Sequence, residues 1–287
     1  MLQVARLARK QLSDSSPLVE QFLHSQLNED GGFKDRSGKS DLYYSAFGLE
    51  AFSALELQAP IAKVTEYLRG FGEGEELDLI HLCCLIRCWA DVSRSAPPLE
   101  LARLLPRIEE FRTPDGGYNT VPDSSDGTAY GCFLVMAAYQ DLQQPMPRAS
   151  DMLRCLASLQ TPDGGYANQA DLPMGLTPPS AAAAALLRHL GAEYPPGLSE
   201  WLLARCHKDG GFFATPAAPM PDLLSTATAL HALSGMQVSI EAVKEPCLDF
   251  LDTLWTNTGG FYGHWADDAV DCEYTYYGLL ALGHLSL

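Results

Sequence analysis

Carboxylates dominate the chemistry this sequence can offer. Asp123 and Asp126 flank two serines and lead into Gly127-Thr128-Ala129, and Asp267, Asp268 and Asp271 form a second cluster beside His264. Neighbouring carboxylates shift each other's proton affinity, and a shifted carboxyl can serve as a general acid. The extra acids nearby make Asp126 and Asp271 the first candidate catalytic residues. A plainer role competes with this one. Asp41, Asp126, Asp222 and Asp271 each precede an apolar helical run, and Asp as an N-cap is worth about 1 kcal/mol over Ala. Capping is the default for all four. His81, Cys84 and Cys88 fall at i, i+3 and i+7 on one helix face, a spacing that can gather soft metal ligands. A buried helix containing cysteines explains it more simply, as a solvated loop explains His264 with its acids. No metal ligand is assigned. The Gly-Gly turns lack a following Lys-Ser/Thr, so they are not phosphate loops.

These residues sit on a repeated frame. A Gly-Gly-aromatic triplet recurs at Gly31-Gly32-Phe33, Gly116-Gly117-Tyr118, Gly164-Gly165-Tyr166, Gly210-Gly211-Phe212 and Gly259-Gly260-Phe261. The last four are about 46–49 residues apart, and the degenerate Gly70-Phe71-Gly72-Glu73-Gly74 fills the long first gap. Six helix-pair units result, covering residues 1–287 as one domain. In each, an amphipathic helix (as in residues 152–159 or 198–206) stops at the glycine turn. An irregular loop follows, then a helix of small apolar residues starting near Asp41, Asp78, Asp126, Thr177, Asp222 or Asp271. Helices apolar nearly all round are buried, while striped ones face water. The second helices should therefore form an inner ring and the first an outer one. The alanine run at residues 181–185 lets inner helices crowd together. The terminal units lack polar caps, which favours a closed ring over an open solenoid. The expected fold is all-α, an α6/α6 toroid of six helical hairpins.

The inner helices carry Tyr43, Tyr44, Phe47, Tyr130, Phe133, Tyr274, Tyr276 and Tyr277. Tyrosine offers an apolar body with one polar tip, and an apolar lumen with a few such tips makes a small-molecule pocket. Tyr43, Tyr44, Phe47, Tyr130, Phe133, Tyr274 and Tyr277 are the expected ligand-binding residues. Periodicity does not say which of them face the lumen.

Composition bounds the partners. The chain is 47% hydrophobic and 19% charged, with a formal net charge of −17. That suits a large core and disfavours nucleic acid or anionic membrane. No stretch nears the ~20 apolar residues of a membrane span, and no N-terminal signal is visible. Eight scattered cysteines without a Cys-x-x-Cys pair fit free thiols in a reducing cytoplasm.

The segments Gln160-Thr161-Pro162-Asp163-Gly164-Gly165-Tyr166 and Arg112-Thr113-Pro114-Asp115-Gly116-Gly117-Tyr118 resemble the repeats of prenyltransferase β subunits and squalene-terpene cyclases. The resemblance runs from about Phe22 to the end of the chain. It implies a toroid whose aromatic-lined cavity holds an isoprenoid. In protein prenyltransferases, inner helix five opens with Asp-x-Cys and inner helix six carries a His before a Thr, and the three bind a catalytic zinc. Here Pro221-Asp222-Leu223-Leu224 puts Leu224 at the Cys position, and Val270-Asp271-Cys272-Glu273-Tyr274-Thr275 puts Tyr274 at the His position. Asp222 alone remains, and it joins Asp126 and Asp271 as a catalytic candidate. The family's Arg and Lys between the fifth Gly-Gly and that Asp are also missing, as residues 212–221 hold no base. A diphosphate needs such cations. Zinc is disfavoured as a cofactor, and magnesium stays open. The other branch, class II terpene cyclases, opens an inner helix with Asp-x-Asp-Asp followed by Thr-Ala. Asp123 to Ala129 is a partial echo of that motif. Those cyclases usually pair two helical domains, whereas this chain offers one.

The expected function is binding of an isoprenoid or another apolar molecule in the lumen, with transfer or acid-initiated cyclisation as the reaction of an active enzyme. Two alternatives stand beside it. One is a catalytically inactive toroid that docks a protein partner. The other is a zinc prenyltransferase with rearranged ligands.

Overall fold

Helices that are apolar on nearly every side need neighbours on every side, and this chain supplies them by closing a ring. The computed structural model describes residues 1–93 and 99–287. Among them, twelve helices alternate between an outer and an inner layer. The pairs are α1 (Ser16–Ser25) with α2 (Leu42–Ala54), α3 (Ile61–Arg69) with α4 (Leu79–Val92), α5 (Leu105–Glu109) with α6 (Ala129–Asp141), α7 (Met152–Leu159) with α8 (Thr177–His189), α9 (Leu198–Leu203) with α10 (Leu223–Gly235), and α11 (Glu241–Leu254) with α12 (Cys272–Leu285). The even-numbered helices are the inner ones. Each packs on the next, and α12 packs back on α2. The fold is an α/α toroid. Short helical turns over residues 2–12 lie against α12 and α2.

The loops after the glycine turns are more ordered than the sequence reading expects. Each Gly-Gly-aromatic turn folds back on its outer helix in an antiparallel bridge, pairing Leu27 with Phe33, Arg112 with Tyr118, Gln160 with Tyr166, Cys206 with Phe212 and Trp255 with Phe261. In the first repeat, two short strands, β1 (Phe33–Lys34) and β2 (Ser40–Asp41), pair antiparallel with Phe33 opposite Asp41. The bridge drives the aromatic ring under the inner helix and buries its N–H. That N–H finds a side chain one turn into the inner helix: Phe33 donates to Ser45 Oγ (2.9 Å), Tyr166 to Ser180 Oγ (2.8 Å), Phe212 to Thr226 Oγ1 (2.9 Å) and Phe261 to Thr275 Oγ1 (3.4 Å). In the third repeat Cys132 Sγ takes the place of the hydroxyl (3.4 Å from Tyr118 N). A buried N–H left without an acceptor costs about 1–3 kcal/mol, so the polar residue in an otherwise apolar helix serves the loop beneath it.

The first glycine of the turn forms the seam between repeats. Gly31, Gly116, Gly210 and Gly259 all have φ between +93° and +97°. A Cβ on Gly31 would lie 2.2 Å from the carbonyl oxygen of Lys63 in α3. On Gly116 it would lie 2.6 Å from that of Asp151 beside α7, and on Gly210 1.8 Å from that of Pro246 in α11. Each turn is seated on the outer helix of the following repeat. Gly259 completes the circle, since its Cβ would lie 2.1 Å from the carbonyl oxygen of Leu18 in α1.

Inner-helix starts follow the capping reading with one correction. Asp41, Asp78, Asp222 and Asp271 accept backbone N–H groups as the N-caps of α2, α4, α10 and α12. At α6 the cap is Thr128, whose side chain accepts from Gly131 N, while Asp126 is exposed two residues earlier. Thr128 has the extended backbone a cap requires. α8 opens with Thr177-Pro178-Pro179, and the Thr177 N–H donates to the Ala214 carbonyl (2.8 Å) in the next repeat. All eight cysteines are free, and seven are buried. Among the described residues no helix is long and apolar enough to cross a membrane.

Candidate functional site

The inner ring encloses a cavity of about 820 Å³, within the ~300–1,000 Å³ of small-molecule sites. Its shape follows from unequal side-chain size. Tyr43 and Phe47 of α2 stand beside Tyr277 of the adjacent α12, and Tyr130 and Phe133 of α6 line the cavity across the ring from α12. Opposite α2 in the ring is α8, which presents Ala181, Ala182, Ala184 and Ala185. Alanines facing aromatics leave the space. Phe47 packs edge-on to Tyr43 (centroids 5.0 Å apart) and tilts on Tyr277 (5.4 Å). Tyr43, Phe47 and Tyr277 thus form a contiguous aromatic cluster with few rotamers to lose on binding.

The cavity has a polar station near each end. Where the inner helices begin, the Tyr43 hydroxyl donates to Glu273 Oε1 (2.7 Å). Burial pushes the Glu273 carboxyl from 4.5 up to about 7, and burial likewise raises Tyr43, Tyr130 and Tyr277. Deeper in, Arg87 of α4 holds both carboxylate oxygens of Glu50 in α2 through Nε and Nη2. Its guanidinium lies 5.3 Å from the Phe47 centroid, a cation–π distance. Asp141, at the end of α6, lines the same region, and burial lifts its carboxyl to about 6. Arg188 and His189 stand exposed at the mouth, where the inner helices end. His231 of α10 also lines the cavity, and its Nδ1 lies 3.0 Å from His284 Nε2 in α12. Burial lowers the two rings to about 3 and about 4, so the pair is neutral at ordinary pH.

Of the residues expected to bind ligand, Tyr43, Phe47, Tyr130, Phe133 and Tyr277 line the cavity, and Tyr44 and Tyr274 do not. Tyr44 packs edge-on to Tyr43. Tyr274 points the other way, under the Arg36 guanidinium (5.3 Å to its centroid) and against Gly263. None of the three candidate aspartates is in the lining. Asp126 is on the surface, bonded to Ser125. The Asp222 oxygens accept from Ser225 N (2.7 Å) and Ser225 Oγ (2.8 Å). Asp271 accepts from Tyr274 N (2.9 Å) and from Arg36 Nε (2.8 Å). Arg36 also grips Asp267, with contacts of 3.1 and 2.8 Å. The acidic patch of the last repeat is therefore tied to a cation of the first, 235 residues away. Sequence reasoning missed Glu273, Glu50, Arg87 and Asp141. The available signal was charge inside otherwise apolar inner helices.

The family's zinc chemistry does not fit these residues. Leu224 lines the cavity without a donor atom, Tyr274 is committed to Arg36, and Asp222 is committed to Ser225. His81 is held by Asp78 (2.9 Å) and Asp41 (3.2 Å), which raise it to about 9, and Cys88 lies buried against the Leu42 carbonyl. Among the described residues no three His, Cys, Asp or Glu side chains are grouped to hold an ion.

Glu273 has a stability consequence with a definite sign. Its folded-state pKa lies above the unfolded value, so its favourable contribution is complete below pH 4.5 and is lost as pH rises through about 7. Glu273→Gln mimics the protonated form. It should unfold like the parent chain below pH 4.5 and be about 2 kcal/mol more stable at pH 8, measured by urea denaturation across pH. A variant less stable at pH 8 would show that the ionised carboxylate is well solvated.

The model of the prenyltransferase alpha-alpha toroid domain matches residues 2–86, 70–209 and 180–286. A search of curated protein sequences found no match. Among solved structures, the chain resembles a variant of the type II terpene cyclase MstE from Scytonema in complex with geranylgeranyl dihydroxybenzoate, at 16% identity and TM-score 0.67, with 97% of each chain covered. It also resembles a Candida albicans protein geranylgeranyltransferase-I complexed with GGPP, at 14% identity and TM-score 0.72, covering 94% of this chain and 90% of that one. A D-mannose isomerase aligns at 14% identity and TM-score 0.67 over 98% and 99%. At these identities the likeness is one of fold, and the isomerase shows that the fold alone does not choose the chemistry. The cyclase chain is covered almost end to end, so a single toroid of this length does not set the protein apart from type II cyclases. By its repeats, its closed double ring and the family model spanning nearly all of it, the chain belongs to the prenyltransferase alpha-alpha toroid domain family.

Proposed function

We propose that this protein binds an isoprenoid chain in its central cavity. The observation that carries the reading is the cavity itself: about 820 Å³ lined by five aromatic side chains and by the alanines of α8. Such a surface favours a long, flexible, apolar guest, because burying each methylene gains about 0.8 kcal/mol. The liganded relatives add support. One is in complex with geranylgeranyl dihydroxybenzoate and another with GGPP.

Ala182→Phe projects a ring into the lumen from a lining position and should weaken binding of a C20 isoprenoid at least tenfold by isothermal titration calorimetry, with little change in melting temperature. Unaltered affinity would place the ligand elsewhere.

Turnover is the second reading, favoured by Tyr43 and Glu273. A carboxyl with a pKa of about 7 is half protonated at neutral pH and can recharge a tyrosine that faces the ligand. The proton delivered is that of Tyr43, whose acidity burial lowers, with Glu273 supplying its replacement, and such a weak donor suits an epoxide or carbonyl oxygen better than a bare alkene. Under this reading the Tyr43–Glu273 pair replaces Asp126, Asp222 and Asp271 as the acid.

A further inference from the structure

The charge lining the cavity discriminates between the polar ends an isoprenoid can carry. Arg87 is neutralised by Glu50, which takes two of its N–H groups, and its face is covered by Phe47. Asp141 lines the same stretch without a hydrogen bond or ion pair to any described residue. Burial raises its carboxyl to about 6, and the nearby Arg87 guanidinium and Met1 ammonium offset this only in part. At the other end, the Tyr43 hydroxyl is committed to Glu273, and the nearby cation Arg36 is held by Asp267 and Asp271. Arg188 stands exposed at the mouth. A prenyl diphosphate needs several converging cations or a metal. The cations of the lining, the Met1 ammonium, Arg87 and Arg188, are matched in number by the carboxylates Glu50, Asp91 and Asp141, so no surplus of positive charge converges on a diphosphate. A half-buried carboxylate without a hydrogen-bond donor from the protein is incompletely solvated, and a ligand group that donates a hydrogen bond to it would relieve that cost.

We propose that the cavity takes an isoprenoid whose head is a hydrogen-bond donor, a hydroxyl or an amine, docked on Asp141 beside the Glu50–Arg87 pair, and that it discriminates against the diphosphate. This rests on the reading that an isoprenoid occupies the lumen.

The test titrates geranylgeraniol, geranylgeranylamine and geranylgeranyl diphosphate into the full chain, Asp141→Asn and Ala182→Phe. The parent chain should bind the alcohol and the amine at least tenfold more tightly than the diphosphate. Asp141→Asn should weaken the amine at least tenfold and the alcohol about threefold, while leaving the diphosphate unchanged or improved. Circular dichroism confirms that the variant is folded, and a misfolded Asp141→Asn is replaced by Asp141→Ser under the same expectations. If the diphosphate binds as tightly as the alcohol, or if the Asp141 variant treats all three alike while Ala182→Phe weakens all three, the head-group assignment falls and lumen binding stands. If no ligand binds, or Ala182→Phe is indifferent, both readings fall together.

Discussion

Gly259→Ala should lower the stability of this protein by about 3 kcal/mol, and Gly164→Ala by only about 1. Both glycines have φ +93°, where an L side chain is strained by about 1–2 kcal/mol. They differ in what a methyl group would meet. At Gly164 the nearest atom is Trp201 Cδ1 at 3.8 Å, an ordinary contact. At Gly259 the new Cβ would lie 2.1 Å from the carbonyl oxygen of Leu18 and 2.3 Å from its carbon. Those atoms are helix backbone and cannot swing aside, so the seam must open, at an overpacking cost of about 1–3 kcal/mol. Gly210, whose added Cβ would lie 1.8 Å from the Pro246 carbonyl oxygen, provides the internal control. In a closed ring the closing seam is built like the others, and Gly259→Ala and Gly210→Ala should lose similar stability in urea titrations. An open spiral would leave Gly259 without its neighbour, and its substitution would then match Gly164→Ala.

That comparison also marks what the sequence could disclose. The period of the Gly-Gly-aromatic turns and the contrast between striped and uniformly apolar helices lead directly to a double ring, because both are local properties repeated along the chain. The side-chain phase of the inner helices is not local. A helix apolar on every side gives no preferred face, so Tyr43 and Tyr277 could not be separated in advance from Tyr44 and Tyr274. The sequence reading puts the cap of α6 at Asp126, and the extended backbone at Thr128, two residues on, moves it there. The bond from Arg36 to Asp271 joins the first and last repeats, and no sequence spacing reveals such a pair. Glu50, Arg87 and Glu273 are a different case. Each interrupts a small, apolar inner helix, and a charge where the pattern demands burial is itself a sign that something in the interior answers it.

For Glu50 and Arg87 that answer is measurable. Arg87→Met should cost about 3 kcal/mol, and adding Glu50→Leu should recover most of the loss. The two side chains are only 11% and 21% exposed, so deleting the guanidinium leaves a carboxylate in an aromatic-walled space with little water to solvate it. Removing one partner of a fully buried pair costs roughly 3–5 kcal/mol, whereas replacing both with apolar groups is often neutral. Partial exposure places the single variant at the lower end. The double-mutant cycle in urea gives the coupling directly. A loss below about 0.5 kcal/mol for Arg87→Met would match a surface pair and would mean that the lumen holds enough water to screen Glu50. The strong coupling expected here has a functional corollary. If the apolar double variant is nearly as stable as the parent chain, the fold does not require these charges, and their presence in the wall points to the ligand. The double variant should then stay folded and lose its preference among isoprenoid head groups, because the pair that holds the surroundings of Asp141 polar would be gone.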